Sequence, residues 1–336
     1  MPARGLDGAR MRKPCSVLML GGTRRGDLRS DLANPTMDDQ AMLDTTQPRL
    51  RFVQCLHPGG LHRMAYWEWG VADNPDVVVC VHGLSRQGRD FDHLARALQG
   101  RFRVVCPDVA GRGRSDWLEQ PLHYQLPQYG ADMVTLLARL DARRLGWVGT
   151  SMGGLIGMGL AGMRNSPIDA LVLNDIGPSV APSGLQRIGG YVGQPLRFGT
   201  VQEGADYLAS ISEGFGPRTP QEWLEFSRPM LVPDGAGWRL HYDPRIGVAL
   251  AQITPDAAQT GEQALWALYD RIEAPTLVLR GAESDILAPA TAQAMTTRGP
   301  GAQLVEFGGV GHAPMLVHAD QIEPVVAFLT SRLPAP

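Results

Sequence analysis

The chain has 336 residues, of which 44% are hydrophobic and 19% are charged, so a sizeable buried core is expected, either in one large domain with an insertion or in two small domains. Its net charge of −3 argues against a nucleic-acid-binding surface and gives no attraction to acidic membranes. None of the four cysteines has the C-x-x-C spacing of a metal site, which favours reduced, buried thiols in a cytoplasmic protein.

The first part of the chain differs from the rest. Residues 1–45 are rich in Arg and Asp and show no hydrophobic periodicity, so we expect a disordered N-terminal arm. The apolar run at 15–20 is too short for the apolar region of a signal peptide. Residues 147–163, within the longest uncharged stretch, number 17 and include many glycines, whereas a membrane-spanning helix needs about 20 residues. We therefore expect no membrane partner.

Residues 46–177 show the alternation of strands and helices that is typical of a parallel sheet. Val77–Val81 is a continuous run of mostly β-branched residues, as in a strand that is buried on both faces. The predicted strands in this part are 51–54, 64–70, 77–81, 103–106, 145–148 and 170–173. The predicted helices are 90–98, 128–140 and 151–163.

The alternation stops after Asp175. Residues 178–263 contain three capping-box patterns, at 200–203, 219–222 and 260–263, which predict a mostly helical insertion. We call residues 178–263 the lid segment. Residues 264–336 return to the core pattern, with strands at 276–279 and 303–307 and helices at 289–295 and 319–329. The prediction is an α/β fold with a doubly wound, mostly parallel eight-stranded sheet and a helical lid.

Gly149-Thr150-Ser151-Met152-Gly153 matches G-x-S-x-G and lies between a predicted strand and a predicted helix. Glycines on both sides of Ser151 remove side chains that would clash in a tight turn, so the hydroxyl can project from the sheet. The start of the following helix offers backbone N–H groups and a partial positive charge. Ser151 is the candidate nucleophile, and the alternative is an ordinary tight turn.

His82-Gly83-Leu84 directly follows the Val77–Val81 strand. An ester carbonyl develops negative charge when it is attacked, and two backbone N–H donors can stabilise that charge. We expect the amides of Leu84 and Met152 to form this oxyanion hole. The ring of His82 is expected to be packed within its loop.

A base and an acid are expected on two loops near the C-terminus. His312 lies in a glycine-rich segment after the last strand, and an imidazole can take the proton of a serine hydroxyl. Asp285 follows the penultimate strand and is predicted to orient His312. Glu283 and Asp175 are the alternatives for the acid. The chain order of serine, acid and histidine fits an α/β architecture.

From about residue 50 to 333 the chain resembles the α/β-hydrolase superfamily, on the motifs above and on the segment 108–115, which is similar to the D-x-x-G-x-G-x-S loop of that superfamily. The resemblance implies that this loop is mainly structural. Serine at position 151 argues against epoxide hydrolases and haloalkane dehalogenases, whose nucleophile is an aspartate. Ser151-Met152-Gly153-Gly154 is similar to carbon–carbon bond hydrolases, but these usually have a tryptophan where Ala313 stands.

The lid segment is expected to cover the active site with aromatic side chains. Tyr191, Trp223 and Trp238 are the candidate substrate-binding residues, and the alternative is that they pack the lid against the body. Arg86, close to the predicted oxyanion hole, is the candidate contact for a carboxylate or polar group of the substrate. A solvated arginine at a helix start is its alternative interpretation.

Together these features predict an enzyme that hydrolyses a small to medium carboxylic ester through an acyl-enzyme, with no metal and no organic cofactor. Lactones, thioesters and carbon–carbon bonds are alternative substrates of the same catalytic groups. A ligand-binding protein on the same fold is the alternative from another class. The expected partner is a small ester molecule, with no nucleic acid and no membrane, and the sequence is compatible with a homodimer.

Overall fold

The computed structural model describes residues 47–216, 218–252 and 254–334. The predicted arm, residues 1–45, lies outside the described residues. Of the helices in the described part, none combines the length and the apolar character that crossing a membrane requires. Cys55, Cys80 and Cys106 are buried, unbridged thiols.

The strands within the described residues are β1 Arg49–His57, β2 Gly60–Trp69, β3 Asp76–Val81, β4 Arg103–Pro107, β5 Arg144–Thr150, β6 Ala170–Asn174, β7 Arg197–Phe198, β8 Leu231–Asp234, β9 Gly237–Leu240, β10 Thr276–Gly281 and β11 Gln303–Phe307. The α-helices are α1 Asp92–Leu98, α2 Leu126–Leu140, α3 Met152–Ala161, α4 Pro182–Tyr191, α5 Val201–Ser210, α6 Pro220–Ser227, α7 Ile246–Ala251, α8 Pro255–Tyr269, α9 Pro289–Met295 and α10 Ala319–Arg332.

Eight strands form the main sheet, in the order β1-β2-β4-β3-β5-β6-β10-β11. The β1–β2 and β2–β4 pairs are antiparallel, and every other pair is parallel. The predicted fold class, with its mostly parallel eight-stranded sheet, is therefore confirmed. The carboxyl ends of β3, β5, β6 and β10 lie side by side, which is where an α/β sheet gathers its reactive groups.

Helices cover both faces of the sheet because successive side chains of a strand point to opposite faces. In β3, Val77, Val79 and Val81 pack in the cluster that includes residues of α2, α3 and α9. Val78 and Cys80 pack in the other cluster, with residues of α1 and α10. The apolar run in β3 thus reflects burial on two sides.

The lid segment contains α4, α5, α6, α7 and most of α8, but also the three-stranded antiparallel sheet β7-β9-β8. The sequence did not predict this sheet, because strands of 2 to 4 residues are too short to show periodicity. Thr200 and Thr219 cap α5 and α6 as predicted. The prediction for Thr260 is wrong, because it lies inside α8, whose N-cap is Thr254.

Two glycines of α3 differ sharply in the space around them. A Cβ on Gly153 would overlap the backbone carbonyl group of Val81, so this position admits only glycine without a backbone shift. Around Gly159, a Cβ would meet no atom within 4 Å.

We therefore expect Gly153→Ala to destabilise the protein by about 2 kcal/mol or more, because a backbone strand has to move. Gly159→Ala should stabilise it by about 0.5–1 kcal/mol, since alanine is the better helix former. Urea unfolding of both variants measures the two effects within one helix. Equal changes in the free energy of unfolding of the two variants would contradict this account of the turn.

Candidate active site

Ser151 lies at the turn between β5 and α3, with φ 52° and ψ −116°. This left-handed conformation is unusual for a residue with a side chain and is typical of strained functional turns. The Ser151 amide donates to the carbonyl oxygen of Asn174 at 3.0 Å, which fixes the turn against the end of β6. The structure therefore has the strand–turn–helix context that the motif predicts.

Ser151, His312 and Asp175 form a continuous hydrogen-bonded chain. The Nε2 atom of His312 lies 2.9 Å from the Ser151 hydroxyl oxygen, and its Nδ1 atom lies 2.7 Å from Oδ2 of Asp175. The Asp175 side chain is fully buried, and that of His312 is 9% exposed. This arrangement can take a proton from the serine and stabilise the resulting imidazolium.

The prediction that Asp285 orients His312 is wrong. Its carboxylate pairs with the guanidinium of Arg187 in α4, at 2.6 and 2.9 Å. This pairing holds the pKa of Asp285 below its ordinary value. Asp285 therefore belongs to an ion pair with the lid segment, and Asp175, which the sequence left as an alternative, takes the position beside the imidazole.

The end of β10 and the loop after it support Asp175 instead of supplying the acid. The Gly281 amide donates to Oδ1 of Asp175 at 2.9 Å, and the Ser284 hydroxyl donates to Oδ2 at 2.5 Å. The Glu283 amide donates to the carbonyl oxygen of Val310, in the His312 loop, at 2.9 Å. Glu283, the other alternative for the acid, thus ties two loops together through its backbone.

Leu84 follows β3, Met152 follows Ser151 at the start of α3, and both line the larger cavity at Ser151. Across the described residues, neither amide donates a hydrogen bond to a protein acceptor. Arg112 contacts both residues: its Nε donates to the Leu84 carbonyl oxygen at 2.9 Å, and its Nη2 lies 3.8 Å from the Met152 sulfur. A fully buried positioning arginine of this kind has no local sequence signal, and sequence reasoning missed it.

His82 is buried and packed in its loop, as expected from the sequence. Its Nε2 accepts a hydrogen bond from the Val109 amide at 2.9 Å, so the ring proton is on Nδ1, which donates to the Gly83 carbonyl oxygen at 2.7 Å. Burial lowers the pKa of His82 to about 3, which keeps the ring neutral. The ring therefore ties the loop that carries Leu84 to the neighbouring loop after β4.

Two cavities meet at Ser151, and both are lined by Leu84 and Ile188 as well. The smaller cavity, of about 60 Å³, also contains His312. The larger cavity, of about 510 Å³, does not, and it is lined mainly by apolar side chains of α2, α3 and the lid segment. A substrate bound across Ser151 would thus have one part on the imidazole side and a longer part in apolar surroundings.

Of the four predicted substrate-binding residues, two line the smaller cavity and two do not. Arg86 and Tyr191 are in its wall. The Arg86 side chain is only 10% exposed and is paired with Asp90, so the interpretation as a solvated arginine is wrong. Trp223 stacks on Phe215, with ring centroids 6.4 Å apart, and lines a different cavity.

Trp238 lies in β9, opposite Phe198 of β7. It packs against the core cluster and lines neither of the cavities at Ser151. The substrate-binding prediction is therefore corrected for Trp223 and Trp238. Their positions fit the alternative that these rings stabilise the lid segment.

A separate group of side chains has the chemistry of metal ligands. Ligand atoms of Cys55, His62 and Asp132 lie within 4.8 Å of one another, and all three residues are buried. His62 Nε2 lies 3.1 Å from Oδ2 of Asp132, and burial raises the pKa of Cys55 to about 12. A protonated thiol beside a hydrogen-bonded His–Asp pair accounts for the proximity of these three side chains, and we assign the group no further role.

Comparison with known proteins gives concordant results. The family model for the alpha/beta hydrolase fold matches residues 76–319. A 3-hydroxybutyrate-oligomer hydrolase of Cupriavidus necator is 54% identical over 290 residues, which are 85% of this chain and 99% of that protein.

Solved structures of similar proteins also have the alpha/beta hydrolase fold. An alpha/beta hydrolase from Novosphingobium aromaticivorans is 37% identical, with a TM-score of 0.75, over 85% of this chain and 99% of that chain. A thioesterase domain from the curacin biosynthetic pathway, 22% identical with a TM-score of 0.65 over 85% of this chain and 99% of that domain, shares the fold.

The two candidate acids can be distinguished by isosteric substitution. Asp175→Asn should lower kcat/KM for an uncharged ester by about 10³–10⁴-fold, because an amide at this position favours the wrong tautomer of His312. Asp285→Asn should change kcat/KM by less than about threefold, since exposed ion pairs contribute little. Circular dichroism checks that both variants are folded. A larger loss in Asp285→Asn than in Asp175→Asn would reverse the assignment.

Proposed function

The chain belongs to the family that shares the alpha/beta hydrolase fold, and we propose that it hydrolyses the ester bonds of 3-hydroxybutyrate oligomers, with Ser151 as nucleophile, His312 as base and Asp175 as the acid. The observation that carries the proposal is the chain of hydrogen bonds from Asp175 through His312 to Ser151, at 2.7 and 2.9 Å.

The substrate part of the proposal is supported by the relative from Cupriavidus necator. In an oligomer of a hydroxy acid, the hydroxyl of one unit is esterified with the carboxyl of the next. The sequence predicts an enzyme that acts on ester bonds, and the relative confirms this class of bond. The larger cavity offers apolar surroundings to the methyl and methylene groups of such a chain.

In the proposed reaction, His312 takes the proton of the Ser151 hydroxyl as its oxygen attacks the ester carbonyl. The negative oxygen of the tetrahedral intermediate accepts hydrogen bonds from the amides of Leu84 and Met152, each worth roughly 3 kcal/mol in the transition state. The ester C–O bond then breaks, and His312 returns the proton to the departing alkoxide. Water then attacks the acyl-enzyme as His312 takes its proton, and His312 returns that proton to the Ser151 oxygen as the bond to the acid breaks.

Purified protein incubated with the 3-hydroxybutyrate dimer and trimer should release the monomer, measured by chromatography. Ser151→Ala is the matched control, and we expect its rate to be lower by at least about 10³-fold. A fluorophosphonate probe should label the peptide that contains Ser151 in the wild type alone. A wild type that is no faster than Ser151→Ala on these oligomers and on simple esters would favour a ligand-binding protein instead.

A further inference from the structure

Two arginines lie in the wall of the smaller cavity, next to the serine and the imidazole. Arg86 pairs with Asp90 through Nε and Nη2, at 2.6 and 2.8 Å. Arg187 uses the same two nitrogen atoms to pair with Asp285, at 2.6 and 2.9 Å. A guanidinium has five N–H groups in a planar fork, so each arginine keeps Nη1 outside its aspartate pair.

Arg86 is held close to the nucleophile. A Cβ placed on Gly83 would lie 3.7 Å from both the Arg86 Cγ and the Ser151 Cβ, so one small gap separates the two side chains. The guanidinium carbon of Arg86 lies 4.1 Å from the centre of the Phe226 ring, which covers it from the lid segment. Because Asp90 already neutralises this guanidinium, the site offers an incoming carboxylate the N–H donors outside that pair, in surroundings largely shielded from water.

The position of His312 distinguishes the two sides of a bound ester. His312 has to return its proton to the oxygen of the departing alcohol, so that alcohol lies on the imidazole side. His312 lines the smaller cavity and not the larger one. The departing unit therefore occupies the smaller cavity, beside the two arginines, and the acyl part occupies the larger, apolar cavity.

We propose that Arg86 and Arg187 form a subsite for the free carboxylate of the terminal hydroxyacyl unit, so that the enzyme removes units one at a time from the carboxyl end of the oligomer. This rests on the proposed function. The unit at that end carries both the ester oxygen that departs and a free carboxylate. It leaves as 3-hydroxybutyrate after His312 protonates its oxygen, while the rest of the chain stays esterified to Ser151 until water releases it.

The physical basis of the subsite is charge. The acyl part of an oligomer is neutral and apolar, whereas its carboxyl end is an anion that needs cationic hydrogen-bond donors when it leaves water. Loss of such a charge-assisted contact changes binding by about tenfold or more. Tyr191 also lies in the wall of the smaller cavity, with its hydroxyl beside Arg187.

Two capped trimers test the direction of cleavage. A trimer with its hydroxyl end acetylated should react as fast as the uncapped trimer, and mass spectrometry should detect free 3-hydroxybutyrate and acetylated dimer as first products. A trimer with its carboxyl end as a methyl ester should show a kcat/KM lower by about tenfold or more. Acetylated monomer as the first product, or equal rates for the free and the methylated carboxyl end, would overturn the proposal.

The arginines are tested by the ratio of kcat/KM for the free trimer to that for its methyl ester. Arg187→Gln should lower this ratio by about tenfold, through KM for the free acid. Arg298→Gln is the matched control: Arg298 also pairs bidentately with an aspartate, Asp270, and is 44% exposed compared with 40% for Arg187. The control should keep the wild-type ratio.

Arg86→Lys provides a second variant, because it leaves Asp90 with a cationic partner and removes only the planar fork. It should lower the same ratio, with an unchanged melting temperature as the check on folding. A wild-type ratio in both Arg187→Gln and Arg86→Lys would overturn the subsite and leave the proposed function intact. A wild type that hydrolyses simple esters but none of the trimers would overturn both.

Discussion

The burial of the Asp175 carboxylate is the constraint on which the site depends. A buried charge is unfavourable unless it is paired and hydrogen-bonded, and here three donors meet it: the Gly281 amide, the Ser284 hydroxyl and Nδ1 of His312. The Gly281 amide is at the end of β10, the Ser284 hydroxyl is in the loop that follows β10, and His312 is in the loop after β11. Satisfying this one carboxylate therefore fixes two loops relative to the end of β6 and sets the tautomer of the imidazole that faces Ser151.

Other buried polar side chains extend the same principle to the rest of the site. Asn174 donates to the Thr150 hydroxyl at 3.0 Å and to the Pro314 carbonyl oxygen at 2.7 Å, so it links the serine turn to the histidine loop. Arg112 and His82 hold the loop that carries Leu84. Each of these groups satisfies loop backbone atoms that would otherwise be buried without partners. The reactive groups are thus positioned by polar side chains that take no part in the chemistry themselves.

The lid segment contributes charge as well as cover. Its α4 supplies Arg187 to the wall of the smaller cavity, and the residue that holds this arginine in place is Asp285, which the sequence suggested as the catalytic acid. The carboxylate of Asp285, after β10, thus orients a lid arginine, and the carboxylate of Asp175, after β6, lies beside the imidazole. The active site thus has one wall that carries two Arg–Asp ion pairs and another that is mainly apolar.

The main sheet, the serine turn and the histidine loop could be predicted from local patterns, because the β-branched run in β3 and the glycines around Ser151 reflect constraints within a few residues. Asp285 and Asp175 could not be ranked in this way, since both follow strands that end at the same edge of the sheet. Sequence by itself determined which strands end in reactive residues. Only the tertiary structure decided which carboxylate meets His312, because that choice depends on donors contributed by residues far apart in the chain.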